Sequence, residues 1–134
     1  MLFAALIDAE IDRTVRRFAN LKPGNHSAML KALSGYLSMQ HVRSPDNSCP
    51  LPSLTADVAR ASDDVRETFE TGLLQFKQIL TELTGSDATA WTLIAQNVGA
   101  VMIARAMLHD APKKEMVDAV RRAGANLLLD ASGD

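Results

Sequence analysis

A long stretch without charge restricts the fold more than any other feature of this chain. The 17 residues between Asp87 and Arg105 include no Asp, Glu, Lys or Arg. The stretch falls just short of the roughly 20 apolar residues that a membrane span needs. It also holds polar side chains that lipid would disfavour, namely Thr89, Thr92, Gln96 and Asn97. A helix that is apolar all round is usually buried, so we expect this one to be shared between the core and a subunit interface. Its small residues would let a neighbouring helix approach closely: Ala95, Gly99, Ala100 and Ala104.

Helical periodicity continues along the rest of the chain. Apolar residues recur at steps of three and four, as from Phe3 to Phe18, and no strand-like alternation or Asn-Gly hairpin interrupts them. Asn25, Ser62 and Ser86 are good helix caps, and Thr84-Gly85 is a stop signal. The pattern predicts an all-α fold, a six-helix bundle in a single domain over residues 1–134. The expected helices span about 1–20, 25–41, 51–61, 62–84, 86–109 and 111–130.

Length and charge limit the function classes. A chain of 134 residues suits one domain with one core. It has 14 basic and 16 acidic residues, a net charge of -2 and a pI near 5.9. A free-standing nucleic-acid binder usually has a basic surplus and a basic stripe, whereas the basic residues here come in pairs at most. We therefore do not expect this chain to contact DNA by itself.

Cysteine usage and the first residues suggest a compartment. A single cysteine, Cys49, cannot form an intramolecular disulfide, which favours a reducing, cytoplasmic location. We interpret Cys49 as a small buried residue before a helix. The first residues carry no early Lys or Arg and no small-residue cleavage site, so they predict an amphipathic helix and not a signal peptide. No contact with a membrane is expected.

Several segments in order resemble a known family. Cys49-Pro50-Leu51 follows a polar loop, then come the runs 65–72 (VRETFETG) and 98–106 (VGAVMIARA), and a last helix ends near Arg121-Arg122. The opening Leu2-Phe3 is similar to the start of the helix that follows a DNA-binding headpiece. Together these segments resemble the C-terminal domain of tetracycline-repressor (TetR) family transcriptional regulators, over essentially the whole chain.

The resemblance implies a fold and a mechanism. In that family the domain is a helical bundle that encloses an apolar ligand pocket, and its last two long helices pair with those of a second subunit as a four-helix homodimer interface. Ligand binding shifts the first helix and so changes the spacing of two DNA-binding headpieces. This sequence lacks the helix-turn-helix headpiece, so it would be a fragment, a product of a late start site or a natural stand-alone domain.

The inward residues of the middle helices are the candidate ligand site. Ligand pockets are mostly apolar with a few placed polar groups, which Tyr36, Gln40, Trp91 and Asn97 would supply. The alternative for most of the set is ordinary packed core, and the buried amide of Asn97 needs a hydrogen-bond partner in either case. The candidate residues are Leu33, Tyr36, Leu37, Gln40, Leu54, Val58, Phe69, Leu73, Phe76, Trp91, Ile94 and Asn97.

The last two helices supply the candidate dimer surface, chiefly because of the resemblance. Two adjacent apolar rows make a wide stripe on the last helix, and Gly124 within it suggests close helix packing. The alternative is that one row packs inward and the rest is solvated. The candidate residues are Val101, Arg105, Leu108, Val117, Val120, Arg121, Gly124 and Leu128.

Motifs for metal binding or catalysis are missing from the sequence. The three histidines, His26, His41 and His109, show no metal-ligand spacing. No glycine-rich phosphate loop and no nucleophile elbow occurs, so we expect no cofactor and no enzyme activity. The first hypothesis is a homodimeric effector domain that senses a small, mostly apolar molecule. The alternatives are an interaction protein that pairs with a full-length regulator, and an enzyme acting within the apolar cavity.

Overall fold

A computed structural model describes residues 2–23, 25–38, 42 and 51–132. Its described residues form six helices and no strand, which confirms the all-α prediction. In chain order the helices are α1 (Leu2–Ala19), α2 (His26–Tyr36), α3 (Leu51–Ala59), α4 (Asp63–Thr84), α5 (Asp87–Ala106) and α6 (Asp110–Ser132).

Two of the three predicted helix caps make the expected hydrogen bond, whereas Ser62 precedes α4 without a capping bond from its side chain. Asn25 Oδ1 accepts a hydrogen bond from Ala28 N at 3.1 Å, and Ser86 Oγ accepts one from Thr89 N at 3.1 Å. Each side chain satisfies one of the backbone N–H groups that a helix start leaves free. Gly85 ends α4 at φ 80°, in the left-handed region that glycine adopts without strain. The boundary between α4 and α5 therefore lies where predicted.

Helices α4 and α5 form the centre of the domain. Helix α1 packs along α4, α5 lies between α4 and α6, and α2 rests on α6. One side of α5 is fully enclosed, since Ala90, Leu93, Val101 and Ala104 are all 0% exposed. The core continues from this side through Leu80 of α4, Val117 and Leu128 of α6, and Ile11 of α1.

The uncharged helix α5 is not buried on all sides within one protomer. Ile103 is 56% exposed and Trp91 is 41% exposed. Thr92 and Ala95 are exposed as well, and Gly99 has open space where a side chain would be. One face of α5 therefore packs inward, and a second, equally uncharged face lies at the surface.

Two helices are shorter than their periodicity suggests. Helix α5 ends at Ala106 and not near His109, because Met107 adopts an extended conformation (φ -83°, ψ 152°). Helix α2 ends at Tyr36, and Leu37 and Ser38 form a turn; residues 39–41, which the pattern placed in the same helix, lie outside the described part. No helix of the described residues is both long enough and apolar enough to cross a membrane.

Close helix contact occurs at a glycine other than the expected one. A Cβ on Gly72 of α4 would lie 2.8 Å from Ile11 Cγ2 of α1, so α1 and α4 touch there. A Cβ on Gly124 of α6 would lie 3.4 Å from Gln96 Nε2 and 3.5 Å from Leu93 Cδ2, which leaves room for a methyl group. Gly72 is therefore required by the packing, and Gly124 is not.

Alanine at these two glycines should change stability in opposite directions. Gly124→Ala should stabilise the fold by about 0.5–1 kcal/mol, because alanine has the better helix propensity and fits. Gly72→Ala should destabilise it by about 1–2 kcal/mol, because the overlap with Ile11 outweighs the same gain. Urea unfolding followed by circular dichroism measures both. Equal effects of the two changes would contradict the close approach of α1 to α4.

Candidate ligand site

An apolar groove runs along the surface where α3, α4 and α5 meet. It has a volume of about 310 Å³, at the lower end of the usual range of roughly 300–1,000 Å³ for small-molecule sites. Four of the predicted ligand residues line it, two from α4 and two from α5: Phe69, Leu73, Trp91 and Ile94. The other lining residues are Thr55, Ala95, Val98, Gly99 and Met102. None of the described residues that line this groove has a charged side chain.

A wider depression of about 590 Å³ adjoins the groove between α3 and α4. It shares Thr55, Phe69 and Leu73 with the groove and adds the predicted residue Val58. Its outer part is charged, with Asp63, Arg66, Glu67 and Glu70. The apolar groove therefore opens at one end into a polar, solvent-facing region.

A small inner cavity lies behind the groove, between α1, α4 and α5. Its volume is about 10 Å³, close to the minimum of about 10–15 Å³ that one water molecule requires. The predicted ligand residues Phe76, Ile94 and Asn97 line it, with Phe18, Leu80, Leu93 and Val98. The rings of Phe18 and Phe76 are 5.3 Å apart and tilted by 48°, a usual aromatic arrangement. Ile94 and Val98 line both the cavity and the groove, so they form the wall between them.

Asn97 is the polar residue of this inner cavity. Its side chain is 5% exposed, and its Oδ1 atom has no hydrogen-bond partner among the described residues. A buried polar atom without a partner costs about 1–3 kcal/mol. The sequence singled out Asn97 as an amide that needs a partner, and the described part of the chain does not supply one to Oδ1.

A polar cluster holds the start of α5 against α4 beside Trp91. Asp87 Oδ1 accepts a hydrogen bond from Thr81 Oγ1 at 2.8 Å and lies 3.2 Å from Lys77 Nζ. The same ammonium group lies 5.8 Å from the centre of the Trp91 ring, within cation–π range. The Thr81 hydrogen bond, and then Lys77, lower the pKa of the Asp87 carboxyl group. The cluster therefore fixes the edge of the groove where the single tryptophan lies.

The remaining predicted ligand residues lie elsewhere or outside the described part. Leu37 is 1% exposed in the core and lines neither the groove nor the inner cavity. Leu33 and Tyr36 lie on α2 and Leu54 lies on α3, but their side chains lie outside the described part, as do Gln40 and Cys49 entirely. The prediction missed Ala95, Val98, Gly99 and Met102. Steps of three and four from Trp91 would have found them, because these residues continue its side of α5.

Most of the predicted dimer residues have another place in the protomer. Val101, Val117 and Leu128 are at most 1% exposed, and Gly124 is buried against α5. All four lie on the inward rows of their helices. They therefore offer no surface to a second subunit. Val120 is half-buried, and Leu108, just beyond α5, is 83% exposed and accessible.

The two arginines of the predicted interface bind backbone within their own chain. Arg105 Nε donates to the carbonyl oxygen of Val42 at 3.3 Å. Arg121 Nη2 donates to the carbonyl oxygen of Leu37, and its Nη1 lies 3.0 Å from Asp118 Oδ1. Both arginines therefore bind backbone that follows α2 in the same chain. A second subunit is not needed to explain a charged side chain at either position.

The described residues contain no group of three or more His, Cys, Asp or Glu side chains that could hold a metal ion. No family model, curated protein or solved structure matches the chain.

Removal of the Asp87 charge should reduce stability in a pH-dependent way. The folded-state pKa is lowered, so the stabilisation is complete above the unfolded-state pKa of about 3.9 and is lost as the pH falls through the folded value. The melting temperature of Asp87→Asn should lie below that of the unaltered chain at neutral pH. The difference should shrink as the pH falls below about 4.

Asp63→Asn is the matched control, because it also removes an acid from a first helical turn. Its carboxylate is fully exposed and lies 3.8 Å from Arg66, so a small effect is expected. Melting curves over a series of pH values test both variants. A pH-independent difference for Asp87→Asn would show that the charge of Asp87 does not stabilise the fold.

Proposed function

We propose that this chain is a ligand-binding and dimerising domain of the TetR type, and that its ligand is a small, mostly apolar molecule. The observation that carries the proposal is the uncharged groove between α3, α4 and α5. Phe69, Leu73, Trp91 and Ile94, which the sequence suggested as ligand contacts, come together there from two helices. The helix order, with α5 and α6 packed together at the end of the chain, is compatible with the resemblance.

The groove suits an apolar guest for an energetic reason. Phe69 and Leu73 are half-buried, and Trp91 is 41% exposed. An apolar ligand that covers such a surface gains about 25 cal/mol for each Å² removed from water. The described residues of the groove offer no charge to balance an ion at its centre, whereas the adjoining depression is charged. The preferred ligand is therefore small and apolar where it meets α5.

A second feature supports pairing with another copy. The exposed row of α5 includes Thr92, Gly99 and Ile103, and it carries no charge. On α6 the side chain of Leu129 is 59% exposed, and Val120 is half-buried. A row without charge can be buried against a second copy without the cost of desolvating an ion. A two-fold pair would bring the same row of α5 from each copy together.

The packing suggests how binding would be transmitted. A ligand in the groove contacts α4 and α5, and α1 packs along α4 with direct contact at Gly72. A guest that binds one arrangement of α4 and α5 better than another shifts the population between them. Helix α1 would move with α4, and the resemblance assigns to the first helix the task of passing the signal to a DNA-binding headpiece.

The exposed row of α5 also favours a second function. The same surface would allow this chain to pair with a full-length homologous regulator and thereby disable it. Mixed chains separated by size would show heterodimers in that case. If only homodimers form with every regulator tested, this second function is excluded.

Ligand binding can be measured with the single tryptophan. N-phenyl-1-naphthylamine, a neutral apolar dye, should accept energy transfer from Trp91 when it occupies the groove. Leu73→Glu should weaken its binding by about ten-fold or more, because the variant places a charge against an apolar guest. A fluorescence titration gives both dissociation constants.

Leu74→Glu is the control for this titration. Leu74 is the next residue of α4, is 47% exposed and does not line the groove. The control should bind the dye like the unaltered chain, and circular dichroism should show both variants folded. Absence of saturable energy transfer in the unaltered chain would exclude the proposed ligand site.

Self-association is tested by a charge on the exposed row of α5. Ile103→Glu should convert the protein to a monomer at concentrations where the unaltered chain is a dimer, because pairing would bury two carboxylates. Leu74→Glu, an equally drastic change on α4, should leave the mass unchanged. Sedimentation equilibrium measures these masses. A monomeric unaltered chain at high concentration would exclude the dimer.

A further inference from the structure

The unpartnered oxygen of Asn97 can be explained by what the groove binds. Asn97 Oδ1 is buried and without a partner, and its residue lines the inner cavity beside two phenylalanine rings. Every other described residue that lines this cavity is apolar. The cavity therefore presents one hydrogen-bond acceptor in an otherwise apolar lining.

Water is a poor partner for this oxygen. The cavity of about 10 Å³ has space for about one water molecule. A well-held buried water needs 2–4 polar partners, and among the described lining residues Asn97 is the one with a polar side chain. A ligand group that displaces such a water and makes the same hydrogen bond gains affinity.

The groove leads directly to this oxygen. Ile94 and Val98 line both the groove and the cavity, and they lie on the same helix as Asn97. A guest that displaces these two side chains would join the two spaces. A guest in the groove then has its inner end next to Asn97 Oδ1.

We infer that the ligand is a neutral molecule with an apolar body and one hydrogen-bond donor, which inserts between Ile94 and Val98 and donates to Asn97 Oδ1. The inference rests on the proposed function and specifies its ligand. A carboxylate is excluded because it would place an anion against an acceptor oxygen. A free ammonium group is disfavoured because none of the described residues that line the cavity is acidic and able to balance it. Hydroxyl, phenol and amide N–H groups remain.

The test compares three probes of similar shape. 4-butylphenol carries a donor, 4-butylanisole carries only an acceptor, and butylbenzene carries neither. Their dissociation constants come from competition with N-phenyl-1-naphthylamine. The probes differ in intrinsic hydrophobicity, so ratios are compared. For each protein, the affinity for 4-butylphenol is divided by the affinity for butylbenzene. The ratio of the unaltered chain is then divided by the ratio of Asn97→Leu. We expect this quotient to be about five or more, the value of one net hydrogen bond.

Gln96→Leu is the matched control. Gln96 precedes Asn97 on α5 and also has a buried polar atom without a partner, Nε2, but it faces Gly124 of α6 and lines neither the cavity nor the groove. Both variants should unfold at higher urea concentrations than the unaltered chain, because each removes an unpartnered polar atom. Only Asn97→Leu should lose the preference for the phenol. Asn97→Ala serves the same purpose if the leucine variant does not fold.

The outcomes separate the two proposals. If all three probes compete but the quotient is one, the groove binds ligands, and the hydrogen bond from the ligand to Asn97 Oδ1 is wrong. If the unaltered chain prefers 4-butylanisole and Asn97→Leu abolishes this preference, the inferred hydrogen-bond donor on the ligand is also wrong. If no probe competes and the dye does not bind, the proposed function itself fails and this inference fails with it. A quotient of about five with no effect of Gln96→Leu supports the inference.

Discussion

The burial of one side of α5 is the interaction on which the rest of the structure depends. Ala90, Leu93, Val101 and Ala104 have no exposed surface, and α3, α4 and α6 all pack around this helix. Two of these positions, Ala90 and Ala104, hold small side chains that let the surrounding helices pack tightly. Because no charge occurs between Asp87 and Arg105, the remaining sides of α5 are also free to meet apolar partners. The groove and the exposed row are both products of this arrangement.

Much of the fold could be predicted because local chemistry determines it. Gly85, Ser86 and Asn25 end or begin helices as expected. About half of the candidate site, from Phe69 to Asn97, was also recognised, since periodicity shows which residues share a face. Periodicity does not show which of two apolar rows points inward. For that reason the dimer prediction included core residues: Val101, Val117 and Leu128.

The two arginines and the two glycines show what sequence reasoning lacks. Arg105 and Arg121 bind the carbonyl groups of Val42 and Leu37, far away in sequence, and only the folded chain brings these groups within reach. A glycine in a helix signals close packing only when a neighbour is near. Gly72 has such a neighbour in Ile11, whereas Gly124 faces space that a methyl group could fill. Pairwise distances between separate helices decide both cases, and no local pattern contains them.

Ligand binding and pairing are physically linked if both occur. Ala95 and Gly99 line the groove, and they also lie next to Thr92 and Ile103 on the exposed row of α5. A second copy packed on this row would narrow the mouth of the groove from one side, and a ligand would change the surface offered to that copy. Each event would then alter the free energy of the other by the same amount, as linkage requires. The ligand would strengthen pairing if it adds apolar contact to the second copy, and it would weaken pairing if it holds that copy away. Gly99 has open space where a side chain would be. A ligand bound next to Gly99 would therefore contact a second copy that packs on this row.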